Sequence, residues 1–129
     1  MRSLQELKNR LQQYRDVEYL YFDGVGYIAW HISTGENIET LFIEATPGCG
    51  AWLYKKMAEH ILETGKEPYH SVFCFRLGSN VKAQKFYDKM GWTQVDLGQS
   101  IYKDDTTVLM WITWSNLLIN LRVLNERDQ

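Results

Sequence analysis

NVKAQKFYDKMGW, residues 80–92, places Ala83, Phe86, Tyr87 and Met90 at i, i+3, i+4 and i+7, the spacing of one helical face. Asn80 stands at an N-cap position and Gly91 at a left-handed C-cap position, so the stretch reads as a short helix with defined ends. Its apolar face carries a phenol, Tyr87, directly after a phenylalanine that would fill a core with no polar atom to satisfy. A hydroxyl in that place calls for a partner or a task.

Upstream, HSVFCFRL (70–77) has apolar residues on both faces, as a strand in the middle of a sheet should. Before it, Gly50, Leu53, Tyr54, Met57 and Ile61 recur at helical spacing until Gly65 ends the helix. TPGCG (46–50) separates that helix from a strand at IETLFIEA (38–45). VEYLYF (17–22) and VGYIAWHI (25–32) are rich in β-branched and aromatic residues, and the Asp-Gly between them predicts a hairpin. STGEN (33–37) predicts a second turn. Leu4, Leu7, Leu11 and Tyr14 make an amino-terminal helical stripe, opened by a capping box of Ser3 and Glu6. Downstream, WTQVDL (92–97) and TVLMWITW (107–114) read as strands; in the tail, Ser115 as cap and Leu117, Leu118, Leu121 and Leu124 on one side read as a short helix.

The order predicts an α/β chain with a mixed, mostly antiparallel central sheet flanked by helices, in which residues 38–77 form a right-handed parallel crossover. One domain spans 1–129, with an amino-terminal helix over 1–15, a core over 17–114 and a helix or tail over 115–129.

Composition narrows the function classes. An apolar fraction of 45% and an aromatic fraction of 14% argue for a packed core rather than disorder. A net charge of −2 gives no nucleic-acid footprint, which needs clustered Lys and Arg. Cys49 and Cys74 belong to no zinc or CxxC spacing, so no metal is expected and both read as reduced thiols. MRSLQELKNRLQQYRD has no apolar core of a signal peptide, and no apolar run approaches the ~20 residues of a membrane span, so a soluble, cytoplasmic protein without a membrane partner is expected.

In EATPGCGAWL (44–53), Gly48 and Gly50 lie where a strand ends and a helix begins. A helix start carries unpaired N–H groups and partial positive charge, and glycines let a phosphate approach the backbone closely. A bare Gly-x-Gly also serves as a tight turn with nothing bound. The end of HSVFCFRL and the helix start at Asn80 should lie beside this turn, so that two strand ends and two helix starts meet at one sheet edge, where open α/β sheets bind ligands.

On these residues, N-x-x-A-x-x-F-Y-x-x-x-G-W through Asn80, Ala83, Phe86, Tyr87, Gly91 and Trp92 resembles the second signature of the GNAT superfamily of acetyl-CoA-dependent N-acetyltransferases. TPGCGAWLYKKM (46–57) resembles that family's pyrophosphate-binding turn and helix. The resemblance covers 17–114 and departs twice: Ala45 stands where the family carries Gln or Arg, and the amino-terminal part is shortened. It implies a GNAT-like acyl-CoA N-acyltransferase fold, with acetyl-CoA as cofactor and an amine acceptor on a small molecule or protein. It further implies that Tyr87 protonates the departing thiolate. Phe42, Ile43, Ala45 and Asn80 would hold the pantetheine arm, and the backbone of Gly48, Cys49, Gly50 and Ala51 the pyrophosphate.

An acceptor amine of pKa ~10.4 is more than three units from neutral pH, so keeping it deprotonated costs about 4.6 kcal/mol and favours a base. Glu44 is the first candidate, followed by Glu39 and His31; strict alternation puts Glu44 and Glu39 on opposite faces. Ala45 and the short amino-terminal part also leave open a catalytically weak or inactive module acting through protein–protein contacts. The tail leucines offer a surface for a homodimer.

Overall fold

A parallel strand pair at the centre of a six-stranded sheet organises the chain, whose computed structural model describes residues 1–33, 36–67, 70–99 and 104–123. The elements run α1 (Leu4–Leu11), β1 (Glu18–Phe22), β2 (Gly26–Ile32), β3 (Ile38–Ala45), α2 (Gly50–Thr64), β4 (Ser71–Leu77), α3 (Val81–Lys89), β5 (Thr93–Gln99), β6 (Thr106–Thr113) and α4 (Trp114–Asn120). The sheet order is β1-β2-β3-β4-β6-β5; β3 and β4 are parallel and the other neighbours antiparallel, as the mixed, mostly antiparallel sheet required. The turn expected at Thr34 and Gly35, and Leu124 of the tail, lie outside the described residues.

Local chemistry sets the element ends. Ser3 and Glu6 form the expected capping box, and Gly65 ends α2 at φ +73, where a side chain would be strained. Asn80 caps α3 by accepting from Ala83 N at 3.1 Å. The last helix differs from the sequence reading. Its cap is Thr113, which accepts from Asn116 N at 3.2 Å, rather than Ser115, because β6 passes into α4 with no intervening loop.

The two faces of the sheet are covered unequally. On one, α2, α3 and α4 bury Leu53, Tyr54, Met57, Ile61, Tyr87, Leu117 and Leu118 against Ile28, Trp30, Ile38, Val72, Cys74 and Met110. On the other, α1 packs Leu7 and Leu11 against Tyr27 and Ala29, with Phe42 beside them. Leu117 and Leu118, two of the tail leucines offered as a dimer surface, are buried in this chain's own core.

Gly50, at the start of α2, packs directly against the Phe86 ring of α3. A Cβ there would come within 2.6 Å of the Phe86 ring. Gly50→Ala should therefore cost about 1–3 kcal/mol through overpacking, read by urea denaturation, and Phe86→Leu in the same chain should recover part of the loss.

Candidate functional site

The parallel pairing of β3 with β4 covers Ile38↔Val72 and Glu39↔Phe73. Asn37 holds this end closed, its carboxamide oxygen accepting from Ser71 N at 3.0 Å and Ser71 Oγ at 2.9 Å. Beyond it, β3 follows β2 through a bulge. Ala29 pairs with Phe42 and Trp30 with Thr40, which leaves Leu41 as the extra residue. The strands diverge past this point and enclose a cleft of about 660 Å³, lined by β3 from Leu41 to Ala45, the turn at Thr46–Gly48 with Gly50, β4 from Phe75 to Leu77, and Asn80, Lys82, Ala83, Phe86 and Tyr87.

The cleft gathers most of the residues singled out in the sequence. Phe42, Ile43, Ala45, Gly48, Gly50 and Asn80 line it, as do Glu44 and Tyr87; Ala51 lines an adjoining hollow with Gly48 and Gly50. Two details differ. Cys49 N donates to Thr46 O at 3.0 Å, so this amide closes the turn instead of facing a ligand. The Asn80 oxygen is used by its own helix cap.

The start of α2 leaves backbone donors without a side-chain cap. Its first intrahelical bond runs from Leu53 N to Cys49 O, so the amides of Gly50, Ala51 and Trp52 lie ahead of it. No side chain caps this end and no acidic residue occupies the first turn, so neither a cap nor a first-turn carboxylate offsets the positive end of the helix dipole. Gly48, at φ +86 and with open space where its Cβ would be, leaves the turn uncovered. Arg2, Arg10, Arg76 and Lys82 also line the cleft. Arg76 is only 8% exposed; its guanidinium is held by Gln94 Oε1 at 2.9 Å and Leu77 O at 3.1 Å. The Arg10 guanidinium lies 3.8 Å above the Phe42 ring.

At the inner wall, Tyr87 is 5% exposed and its ring packs against Trp92, Phe86 and Tyr54 at centroid distances of 4.7, 5.0 and 6.1 Å. The partner its hydroxyl calls for is Tyr54, 2.9 Å away oxygen to oxygen, and Tyr54 in turn is 3.1 Å from Thr40 Oγ1. Burial raises both phenols well above their ordinary value, so each keeps its proton at neutral pH. Sequence reading missed Thr40, Tyr54 and Arg76 as polar members of the site. The available signal was two tyrosines on the buried faces of α2 and α3, and an arginine in phase with Val72 and Cys74.

The bulge changes the reading of the acidic residues. Cross-strand pairs put Glu39 opposite His31 and Glu44 opposite Tyr27, on the face that α1 covers. The extra residue Leu41 restores the phase, so Glu39 and Glu44 share one face instead of lying on opposite faces as alternation predicted. Glu39 is bound to His31 at 2.7 Å beside the closed end of the strand pair, and neither lines the cleft. Glu44 lines it from the α1 face, accepting from Arg2 N at 2.7 Å. Burial, then the Glu44 carboxylate, raises the neighbouring Tyr27 phenol above its ordinary value.

No family model and no curated protein matches the sequence. Solved structures do match its fold. Mutant forms of the spermidine/spermine N-acetyltransferase of Vibrio cholerae align at a TM-score of 0.66 and 17% identity, over 90% of this chain and 78% of that one. The Campylobacter jejuni N-acetyltransferase PseH, solved with acetyl coenzyme A, aligns at 0.58 and 20% identity, over 84% of this chain and 76% of that one. A protein of Desulfovibrio desulfuricans assigned to the GNAT acetyltransferases aligns at 0.66 and 16% identity, over 85% and 78%. At these identities the likeness defines architecture, and the chain has the GNAT acyltransferase fold that its two motifs resembled.

The buried hydroxyl and thiol groups predict an alkaline limit to stability. Burial pushes the Cys74 thiol from 9.0 up to about 11, and raises Tyr54 and Tyr87 above 10.0. The unfolded chain releases these protons at lower pH than the folded one. The contribution is thus complete below pH 9 and lost as pH rises through about 11. For Cys74 this amounts to about 3 kcal/mol at ~1.4 kcal/mol per unit. Urea midpoints should fall between neutral pH and pH 11, and fall less steeply in Cys74→Ala.

Proposed function

We propose that the protein is an N-acetyltransferase that transfers an acetyl group directly from acetyl-CoA to a primary amine of a small molecule or protein. The observation that carries this reading is the cleft itself, whose lining brings together an uncapped helix start, a buried phenol that keeps its proton, and diverging strand edges. The GNAT fold, and the acetyl coenzyme A in the PseH structure, support the same reading.

The amides of Gly50, Ala51 and Trp52, with Gly48 leaving room, would receive the pyrophosphate. The Lys82 and Arg76 side chains offer positive charge in the same cleft, where Ala45 contributes none. The diverging edges, at Phe42 to Ala45 on β3 and Phe75 to Leu77 on β4, would take the extended pantetheine arm. That arm leads the thioester towards Tyr87, whose O–H neutralises the departing thiolate. Glu44 enters from the opposite face of the sheet, the side from which an amine can approach without crossing the coenzyme. It is the carboxylate best placed to take the amine's proton.

Titration calorimetry with acetyl-CoA should show one binding site per chain. In Tyr87→Phe the affinity should hold while kcat falls by about 10². No detectable binding would overturn the reading and favour a module acting through protein contacts.

A further inference from the structure

The charges that line the cleft divide between the two faces of the sheet. Among the described lining residues, Arg2, Arg10, Arg76 and Lys82 are cationic and Glu44 alone is acidic. Arg76 is in phase with Val72 and Cys74 on the α2 face and Lys82 stands on α3, so both lie on the side where the coenzyme would bind. Arg2 and Arg10 lie on the other side. The Arg10 guanidinium, carried by α1, is 3.8 Å above Phe42, which packs against the cluster of Leu7 and Leu11. Arg2 is pinned through its backbone: its N–H donates to Glu44 Oε1 at 2.7 Å, and its carbonyl accepts from the Tyr21 hydroxyl at 3.2 Å. Both cations act where Glu44 does, because the Tyr27 phenol, raised by burial and then by Glu44, is drawn back down by Arg2 and Arg10.

Among the described residues neither guanidinium forms an ion pair. The nearby carboxylates are turned elsewhere. Glu6, one turn before Arg10 on the same helix, accepts from Ser3 N at 3.1 Å in the capping box, and Glu44 accepts from Arg2 N. Arg10 lies against the Phe42 ring and its N–H groups make no hydrogen bond to the described residues, which leaves its planar fork to an oxyanion. A primary amine arrives at neutral pH as an ammonium, which Glu44 can receive. A second positive charge on the same molecule would then meet Arg2 and Arg10, whereas a negative one would pair with them.

We propose, resting on the acetyl-transfer reading, that the acceptor is a primary amine that also carries a carboxylate, its ammonium directed to Glu44 and its carboxylate to Arg10 and Arg2. Recognition is geometric as well as electrostatic, since guanidinium and carboxylate are both planar and pair through two parallel N–H···O bonds. Phe42 holds the Arg10 side chain beforehand, so little freedom is lost when the anion arrives.

The test follows thiol release from acetyl-CoA by the full chain with matched acceptors. Glycine, β-alanine and γ-aminobutyrate are set against ethylamine, n-propylamine and n-butylamine, with putrescine as the dication. At least one amino acid should exceed its alkylamine about tenfold in kcat/KM, chiefly through KM, and putrescine should fall below n-butylamine. Arg10→Met, which keeps an apolar cover on Phe42, should abolish the preference. Arg10→Lys, which keeps the charge without the fork, should retain part of it. Titration calorimetry should give both variants the parent's affinity for acetyl-CoA. If the alkylamines or putrescine serve the parent as well as the amino acids, or if Arg10→Met keeps the preference, the assignment of an anionic acceptor is wrong while the acetyl-transfer reading stands. A loss of acetyl-CoA affinity in Arg10→Met would put the guanidinium on the coenzyme and overturn the assignment equally. If acetyl-CoA binds and none of these amines speeds thiol release, the acceptor class is wrong. If acetyl-CoA does not bind, the acetyl-transfer reading fails and this one with it.

Discussion

Everything in the cleft depends on β3 and β4 being paired at one end and parted at the other. Parallel pairing at Ile38 and Glu39, closed by Asn37, fixes the hinge of this opening. The extra residue Leu41 then turns β3 away while its ladder with β2 continues on either side of the bulge. Two strand edges are thereby left facing each other at a distance their own hydrogen bonds cannot span. Such edges are where an extended ligand can add main-chain bonds, and their position at the carboxyl ends of parallel strands puts the starts of α2 and α3 beside them.

The same bulge distributes the chemistry. Before it, Thr40 points with Ile38 into the α2 face; after it, Ile43 and Ala45 keep to that face while Glu44 points to the α1 side. Acidic and phenolic groups thus reach one cleft from opposite faces of a single sheet. In the proposed acyl transfer, Glu44 would take the amine's proton from one face while Tyr87 gives a proton to the leaving sulfur from the other. The uncapped start of α2 adds a fixed positive end to the same cleft, and the lack of a side-chain cap there removes the group that would otherwise occupy it.

Much of this was legible in residue order. The ends of α1, α2 and α3 follow from Ser3 with Glu6, Gly65 and Asn80, since caps act on neighbours three or four residues away. The central place of β4 follows from its two apolar faces, and the meeting of Gly48, Gly50, Asn80 and Tyr87 follows from the strand-helix alternation. What local pattern could not supply was the phase of β3. Alternation counted from Glu39 to Glu44 assumes a regular ladder, and whether a strand bulges depends on the strand it pairs with. The same limit applies to the Thr113 cap, whose place depends on where β6 ends against β4.

The sequence by itself determined which segments are helices and strands, and brought a glycine turn and a phenol to one sheet edge, because those outcomes rest on periodicity and on caps within a turn or two. The tertiary structure alone decided that Glu44 and Glu39 share a face, that Cys49 closes its own turn, and that Tyr87 is backed by Tyr54 and Thr40. These depend on contacts between residues 14 and 33 positions apart and on a cross-strand register, and no spacing within one element encodes either.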